Sequence, residues 1–251
     1  MMIFFIIIII FYSTLYVNSA KKSSQNLKSS NDFATLAVTL ADLDSAMIDS
    51  DITMFDSDST ALAEVQRIFV NYEKMLMTNI GLNNDFSFNN SGTLAFCGPF
   101  VASGNFRIDS FDLYNTTLQA DYGNAKVYTV TRYTISNVSS YTEYPVISSE
   151  DAGTITVDSK TNKVTYSLAE DDLGNALEGP TVITTVSFPI KGPAFLSSNS
   201  LTNTVYFDDD GNVVENTSST PTYSYKVNEL INGTYRLTKR SETSVKWRDT
   251  T

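Results

Sequence analysis

The hydrophobic period of this 251-residue sequence changes at Gly81. Before this glycine, apolar residues recur at steps of three and four, at Leu62, Val65, Phe69, Tyr72 and Leu76. This spacing predicts an amphipathic helix of roughly five turns that begins after Asp56-Ser57-Asp58 and ends before Gly81. A looser helical pattern with several aspartates precedes it, starting at Phe33. After Gly81, apolar and polar residues alternate, and the period is that of β-strands.

The alternating segments are rich in Val, Thr, Tyr, Ile and Phe, as strands are. We predict strands at Thr93–Cys97, Phe111–Ala120, Ala125–Ile135, Gly153–Asp158, Lys163–Leu168, Thr181–Ile190, Asn203–Phe207, Asn212–Asn216, Thr222–Ile231, Thr234–Thr238 and Ser244–Trp247. Alternation in Thr181–Ile190 predicts that one face packs while the other meets water or a cavity. Turns at Asp158–Asn162 and Asn232-Gly233 predict hairpins.

Helices followed by hairpins predict an α+β fold, with N-terminal helices packed on a curved, mainly antiparallel β-sheet. A β-sandwich with an accessory helix is the alternative. The predicted α+β domain covers residues 33–220, and residues 221–251 form a basic, Tyr-rich β extension of the same domain.

The N-terminal residues have the layout of a secretory signal peptide. An apolar block runs from Met2 to Phe11, and small residues at Ser19 and Ala20 precede Lys21-Lys22. We predict a signal peptide over residues 1–20, a secreted protein, and no stable membrane insertion after cleavage. Residues 21–32 are polar with a single leucine, and they predict a disordered lead-in.

Five Asn-x-Ser/Thr sequons agree with a secreted chain. They predict exposed glycosylation sites at Asn89, Asn115, Asn137, Asn216 and Asn232.

Charge and cysteine content restrict the partners and the redox chemistry. The formal net charge of −11 disfavours nucleic acid, whose phosphates an acidic surface repels. The single cysteine, Cys97, lies between apolar neighbours and is expected to be a buried thiol. The dipeptide Lys239-Arg240 is a candidate cleavage site for a dibasic processing protease.

The sequence contains no histidine, which excludes Ser-His-Asp and Cys-His catalysis and His-ligated zinc. No phosphate-binding or dinucleotide-binding loop motif occurs, so we predict neither a cofactor nor a metal. Carboxylates remain as candidate catalytic groups, at Glu150-Asp151, Glu170-Asp171-Asp172 and Asp208-Asp209-Asp210. Clustered charges between strands are usually solvated turns, so none of these residues is assigned as catalytic.

The third cluster belongs to the stretch VYFDDDGNVVEN, Val205 to Asn216, whose three aspartates and glycine are also found in calcium-binding loops. An EF-hand loop with Gly211 at its sixth position would begin at Tyr206 and end at Thr217. The first position requires a carboxylate and the last a glutamate, so neither residue meets the requirement. We therefore interpret the stretch as a hairpin that turns at Gly211.

Two segments resemble the NTF2-like superfamily, including its SnoaL-like branch: LYNTTLQADYGNAKVYTVTRYTI and VYFDDDGNVVE, which follow the amphipathic helix. The resemblance covers about residues 57–216. It implies helices lying across a strongly curved sheet that forms a cone with an internal pocket. Enzymatic members often use an Asp-His or Tyr-Asp arrangement there, but this chain has no histidine, and no aspartate maps onto such a position.

Three functions remain open. The first is a secreted glycoprotein that binds a protein or small-molecule partner, with a small-molecule pocket as an option. The second is a secreted enzyme of NTF2-like type that uses carboxylates or tyrosine. The third is a structural surface or coat glycoprotein. The missing catalytic signatures favour binding over catalysis.

Overall fold

The computed structural model describes residues 2–48, 54–55, 60–89, 105–191, 201–207, 213–214, 223–231 and 234–244. Two helices come first, α1 over Met2–Ile48 and α2 over Ala61–Ile80. Nine strands follow within the described residues: β1 Arg107–Asp121, β2 Ala125–Val138, β3 Ser148–Asp158, β4 Val164–Ser167, β5 Thr181–Lys191, β6 Leu201–Phe207, β7 Val213–Val214, β8 Tyr223–Ile231 and β9 Thr234–Ser244.

The described strands form one antiparallel sheet in the order β4-β3-β2-β1-β5-β9-β8-β6-β7. Six of the described strands curl into an antiparallel half-barrel, and the helices pack on it. The chain therefore has the predicted α+β fold, with N-terminal helices on a curved antiparallel sheet. The alternative β-sandwich is not formed, because all nine described strands belong to the same sheet.

Helix α2 confirms the periodicity of the sequence. It ends at Ile80 and is capped by Gly81, whose φ of 80° lies in the left-handed region and whose N–H donates to the carbonyl of Met77. Four residues of the predicted stripe, Val65, Phe69, Tyr72 and Leu76, are buried, whereas Leu62 is 55% exposed. The ring of Phe69 packs edge to face on that of Phe111 of β1, with the ring centroids 5.2 Å apart. Tyr72 contacts the same ring at 5.3 Å. Aromatic burial is therefore the main contact between α2 and the sheet.

Helix α1 corrects the prediction of a disordered lead-in over residues 21–32. These residues are helical, and a stripe of mostly small or polar side chains faces the fold: Ser23, Leu27, Asn31, Ala34, Thr35, Val38 and Thr39. The spacing is helical, but hydropathy misses it because only two of these residues are strongly apolar. Packing against the sheet thus orders a segment whose composition is typical of disorder.

A buried hydrogen-bonded cluster joins both helices to β5. Oδ1 of Asn31 in α1 accepts hydrogen bonds from the Tyr72 hydroxyl of α2 at 2.6 Å and from the Thr184 hydroxyl of β5 at 3.1 Å. Thr35 lies one turn further along α1, and its Oγ1 is 2.7 Å from Oγ1 of Thr184. All four side chains are inaccessible to water, so these groups depend on one another for hydrogen bonds.

The sheet face that points away from the helices, which we call the distal face, has a smaller core of its own. Tyr114, Tyr128, Ile155 and Ile183 pack there with residues of the 168–180 segment, which crosses over them. Gly153 permits the crossing, because its φ is 108° and an added Cβ would lie 2.8 Å from the Leu168 carbonyl oxygen.

Two strand predictions are wrong in detail. Thr185 and Ser187 of β5 are 4% and 0% exposed, so the strand is buried on both faces and does not turn one face to water. Strand β9 also runs unbroken through Thr238 to Ser244, because it pairs with β5 along its whole length. The hairpins at Asp158–Asn162 and between β6 and β7 are confirmed by their strand pairing. The predicted strand Thr93–Cys97 lies outside the described residues.

We predict that Asn31→Ala lowers the free energy of unfolding by roughly 2 kcal/mol, because it removes the oxygen that accepts hydrogen bonds from the buried hydroxyls of Tyr72 and Thr184. Chemical denaturation measures the change. Lys22→Ala, at an exposed position of the same helix, is the matched control. Tyr72→Phe should lower the free energy of unfolding much less in the Asn31→Ala background than in the wild type. Equal costs in both backgrounds would contradict the proposed coupling.

Candidate functional site

The predicted carboxylate clusters lie in different surroundings. Glu150 and Asp151 are exposed on strand β3, and not in a turn between strands. Asp171 and Asp172 lie in the 168–180 segment, and Asp171 is only 7% exposed. The expectation of a solvated turn is therefore wrong for Asp171, because the segment folds back onto the distal face.

On the distal face, Arg132 links Glu150 to Asp112 of β1, a carboxylate that the sequence analysis did not identify. Oδ1 of Asp112 accepts hydrogen bonds from Nε of Arg132 at 3.0 Å and from the Thr134 hydroxyl at 2.7 Å. Nη1 of Arg132 donates to Glu150 at 2.9 Å. Cross-strand register explains the arrangement, since Asp112 pairs with Thr134 and Tyr114 pairs with Arg132.

Burial sets the acid–base properties of this group. The Asp112 side chain is only 2% exposed. Desolvation raises the pKa of its carboxyl above the ordinary range, while the hydrogen bond from Thr134 and the charge of Arg132 partly offset that rise. Desolvation likewise raises the pKa of Tyr114, over whose ring the Arg132 guanidinium lies at 5.7 Å. Tyr114 is therefore a neutral hydrogen-bonding group at physiological pH.

A cleft of about 250 Å³ opens beside this network, which we call the distal cleft. It is lined by Arg132, Thr134, Ser148, Ser149 and Glu150. One cation, one anion and three hydroxyls face the same small volume, so the lining offers both donors and acceptors to a polar ligand.

Arg240 of β9 fastens the 168–180 segment to the sheet. Its Nη2 contacts Asp172 at 2.5 Å and Asp171 at 3.3 Å, and its Nη1 contacts Glu242 at 2.8 Å. Asp171 also accepts backbone N–H groups of Leu173 and Asn175, both at 2.8 Å. Dibasic processing at Lys239-Arg240 would require this central strand to leave the sheet, so the folded chain does not offer the site to a protease.

Glu73 is the second buried carboxyl that sequence reasoning missed. It lies on α2 with 0% exposure, and its Oε1 has no hydrogen-bond partner among the described residues. Its Oε2 accepts a long hydrogen bond of 3.4 Å from the backbone N–H of Thr142. Desolvation raises its pKa to about 8, against small opposing effects of the Thr142 N–H and the Lys74 charge. Glu73 is therefore protonated at neutral pH.

The predicted glycosylation sites differ in accessibility. Asn137 is exposed at the end of β2, with a φ of 58°. Asn89 is half-buried. Asn115 is 3% exposed, and its Nδ2 donates to the carbonyl of Phe55 at 3.1 Å while its Oδ1 accepts the N–H of Met54 at 2.9 Å. A glycan on Nδ2 is incompatible with these contacts, which corrects the prediction for Asn115.

Several predicted residues lie outside the described part of the chain: Cys97, Asp208, Asp209, Asp210, Gly211, Asn216 and Asn232. Within the described part, no group of three or more His, Cys, Asp or Glu side chains is arranged to hold a metal ion. None of the described helices combines the length and the apolar character needed to cross a membrane.

Neither a protein-family model, nor a curated protein, nor a solved structure matches this chain. The NTF2-like relationship therefore stays a prediction.

The two missed carboxyls had different sequence signals. Glu73 follows Tyr72 and lies four residues after Phe69, so it falls on the apolar stripe of the predicted helix. Asp112 alternates with Phe111 and Leu113, and this pattern is also what an exposed face gives. Asp112 is buried because the 168–180 segment crosses this face of the sheet, and no local sequence pattern predicts the path of that segment.

We predict that the wild-type protein becomes less stable between about pH 4.5 and about pH 8, and that Glu73→Gln removes much of this decline. The folded-state pKa is raised, so the stabilisation from Glu73 is full below the unfolded-state value and is lost as the pH rises through the folded-state value. The loss is on the order of 4 kcal/mol.

Unfolding free energies at pH 5 and pH 8.5 measure this effect. Glu64→Gln, on the solvent side of the same helix, is the control and should keep the wild-type pH dependence. The same dependence in Glu73→Gln as in the wild type would refute the assignment.

Proposed function

We propose that this chain is a secreted glycoprotein that acts by binding a small polar ligand at the distal cleft. The observation that carries the binding role is the composition of that cleft, where Arg132 and Glu150 pair next to three hydroxyl side chains. A cleft of this kind suits a neutral or zwitterionic ligand rich in hydrogen-bonding groups, because its two charges are already paired.

The packing of α1 supports a secretory route. Phe4 and Phe11 are 66% and 64% exposed, and the isoleucines between them are also exposed. Contact with the core begins further on, with Tyr16 and Ala20 partly buried and Ser23 the first fully buried residue. Removal of residues 1–20 as a signal peptide would therefore discard exposed apolar surface and keep nearly all of the helix–sheet contact.

The exposure of Asn137 supports glycosylation in that compartment. Asn137 is the penultimate residue of β2, next to Val138, which pairs with Ile108 of β1, and its side chain is exposed. The proposal thus requires a specific pattern, in which Asn137 carries a glycan and Asn115 does not.

Expression of the full chain in a eukaryotic secretory cell tests the route. We expect secreted protein that begins at Lys21, with a glycan at Asn137 and an unmodified Asn115, as read by mass spectrometry of peptides. Ser139→Ala, which removes the Asn137 sequon, should abolish that glycan and leave secretion intact. Retention inside the cell with an intact Met1 would contradict the proposal.

Thermal shift with a panel of free amino acids, polyols and neutral monosaccharides tests the binding role. We expect at least one probe to raise the Tm of the wild type, and Glu150→Gln to weaken its binding by roughly tenfold or more, as the loss of a charged hydrogen bond does. Glu150 is 62% exposed, so this variant should fold normally. Glu170→Gln is the matched control. No shift with any probe, or equal shifts in all three proteins, would overturn the binding role.

A second candidate, a carboxylate-dependent hydrolase, is favoured by Asp112 alone. A buried carboxyl with a raised pKa beside a cleft is the usual setting of a general acid. An assay for hydrolysis of aryl glycosides tests this candidate. If the wild type is active and Asp112→Asn is folded but inactive, catalysis replaces binding as the proposed function. The direct hydrogen bonds from Arg132 and Thr134 argue for binding, since they already occupy Oδ1 of Asp112.

A further inference from the structure

A second and larger cleft, of about 560 Å³, lies at the C-terminal end of α2. Lys74, Met77 and Thr78 of the helix form one side, and Tyr141 belongs to the segment that crosses over it. The remaining lining residues come from the turn after the helix: Gly81, Leu82, Asn84 and Asn89. One of these, Asn89, is the acceptor residue of a predicted glycosylation sequon.

The lining is well suited to a sugar. The side chains of Lys74, Thr78 and Asn84 offer hydrogen-bonding groups at exposed positions. Met77 and Leu82 add apolar surface, and the ring of Tyr141 offers a flat face for the C–H side of a pyranose ring. The volume lies within the range of known ligand sites.

The position of Asn89 is fixed by the turn. Its N–H donates to the carbonyl of Gly81 at 2.9 Å, and Leu82 bridges to Phe88 just before it. Phe88 in turn contacts Phe188 of β5 edge to face at 5.6 Å. The attachment atom of a glycan at Asn89 would therefore be held at the edge of the cleft.

The opposite wall is fixed as well. Tyr141 donates its N–H to the carbonyl of Asn84 at 2.8 Å, and Gln66 of α2 donates to the carbonyl of Glu143 at 2.6 Å. Both sides of the cleft are thus built before any sugar is present, which lowers the entropic cost of filling it.

We propose that the N-acetylglucosamine residues attached to Asn89 pack into this cleft, against Tyr141 and α2, and act as a structural part of the fold. The inference rests on the proposed secretory route, because only that route supplies the glycan. The first sugar is bonded directly to Nδ2 of Asn89, so it cannot leave the neighbourhood of the cleft, and its local concentration there is high.

The test compares two sequon variants of the secreted protein. Ser91→Ala removes the Asn89 glycan and leaves Asn89 in place, whereas Ser139→Ala removes the exposed Asn137 glycan. We expect Ser91→Ala to lower the Tm by roughly 2–4 °C and Ser139→Ala to change it by less than about 1 °C. Under native conditions an endoglycosidase should release the Asn137 glycan several times faster than the Asn89 glycan.

Variants of the cleft lining show whether the loss of Tm in Ser91→Ala comes from packing of the glycan in the cleft. Tyr141→Ala should lower the Tm of the glycosylated protein and abolish the further effect of Ser91→Ala. If Tyr141→Ala fails to fold, Lys74→Ala at an exposed position makes the same comparison. A full Ser91→Ala effect in the cleft variant would overturn the inference.

The remaining outcomes separate this inference from the proposed function. A glycan at Asn137 with an empty Asn89 overturns the inference and leaves the secretory proposal standing. The same holds if Asn89 is occupied but its glycan is released as fast as that of Asn137 and adds no stability. Absence of secretion and of all glycans overturns both.

Discussion

Asn31 accepts hydrogen bonds from Tyr72 of α2 and Thr184 of β5 in a contact that water does not reach. A shift of α1 by one residue would rotate its side chains by about 100° and leave these groups unpaired in an apolar setting. The cluster therefore fixes the register of α1 on the sheet. It also fixes α2, because the Tyr72 hydroxyl has to reach the same oxygen. The placement of α2 also sets the position of Glu73, the next residue, and hence its hydrogen bond from the backbone N–H of Thr142.

The fold treats its buried carboxyls in two different ways. Asp112 and Asp171 each have an arginine within hydrogen-bonding distance, and that arginine also reaches an exposed glutamate, Glu150 or Glu242. Each arginine therefore ties a buried carboxylate to the surface and limits the cost of its charge. Glu73 is paired with no arginine in the described part of the chain, and it avoids the cost by remaining protonated. The buried carboxylates of the distal face are consequently ion-paired, whereas the buried carboxyl of α2 is uncharged.

Periodicity predicted the parts of the fold whose cores are apolar. Helix α2 and the β1–β2 hairpin follow from residues such as Phe69 and Phe111, because apolar spacing indicates directly which face is buried. The first part of α1 was missed because its buried positions include Ser23 and Asn31, which hydropathy counts as exposed. The burial of Asp112 and Thr185 was missed for a related reason. Alternation shows that two faces differ, but it does not show whether a distant segment covers the second one.

The environment of Asn115 has a consequence for biosynthesis. Its amide forms hydrogen bonds with Met54 and Phe55, which lie 61 and 60 residues earlier in the chain, so these contacts exist only in the folded protein. Oligosaccharide transfer acts on the nascent polypeptide, before such contacts exist. In a secretory cell, folding and modification therefore compete for one nitrogen atom, and a molecule modified first cannot complete its native packing. On the proposed secretory route, Thr117, which completes this sequon, would therefore place a kinetic demand on folding that the native contacts alone do not reveal.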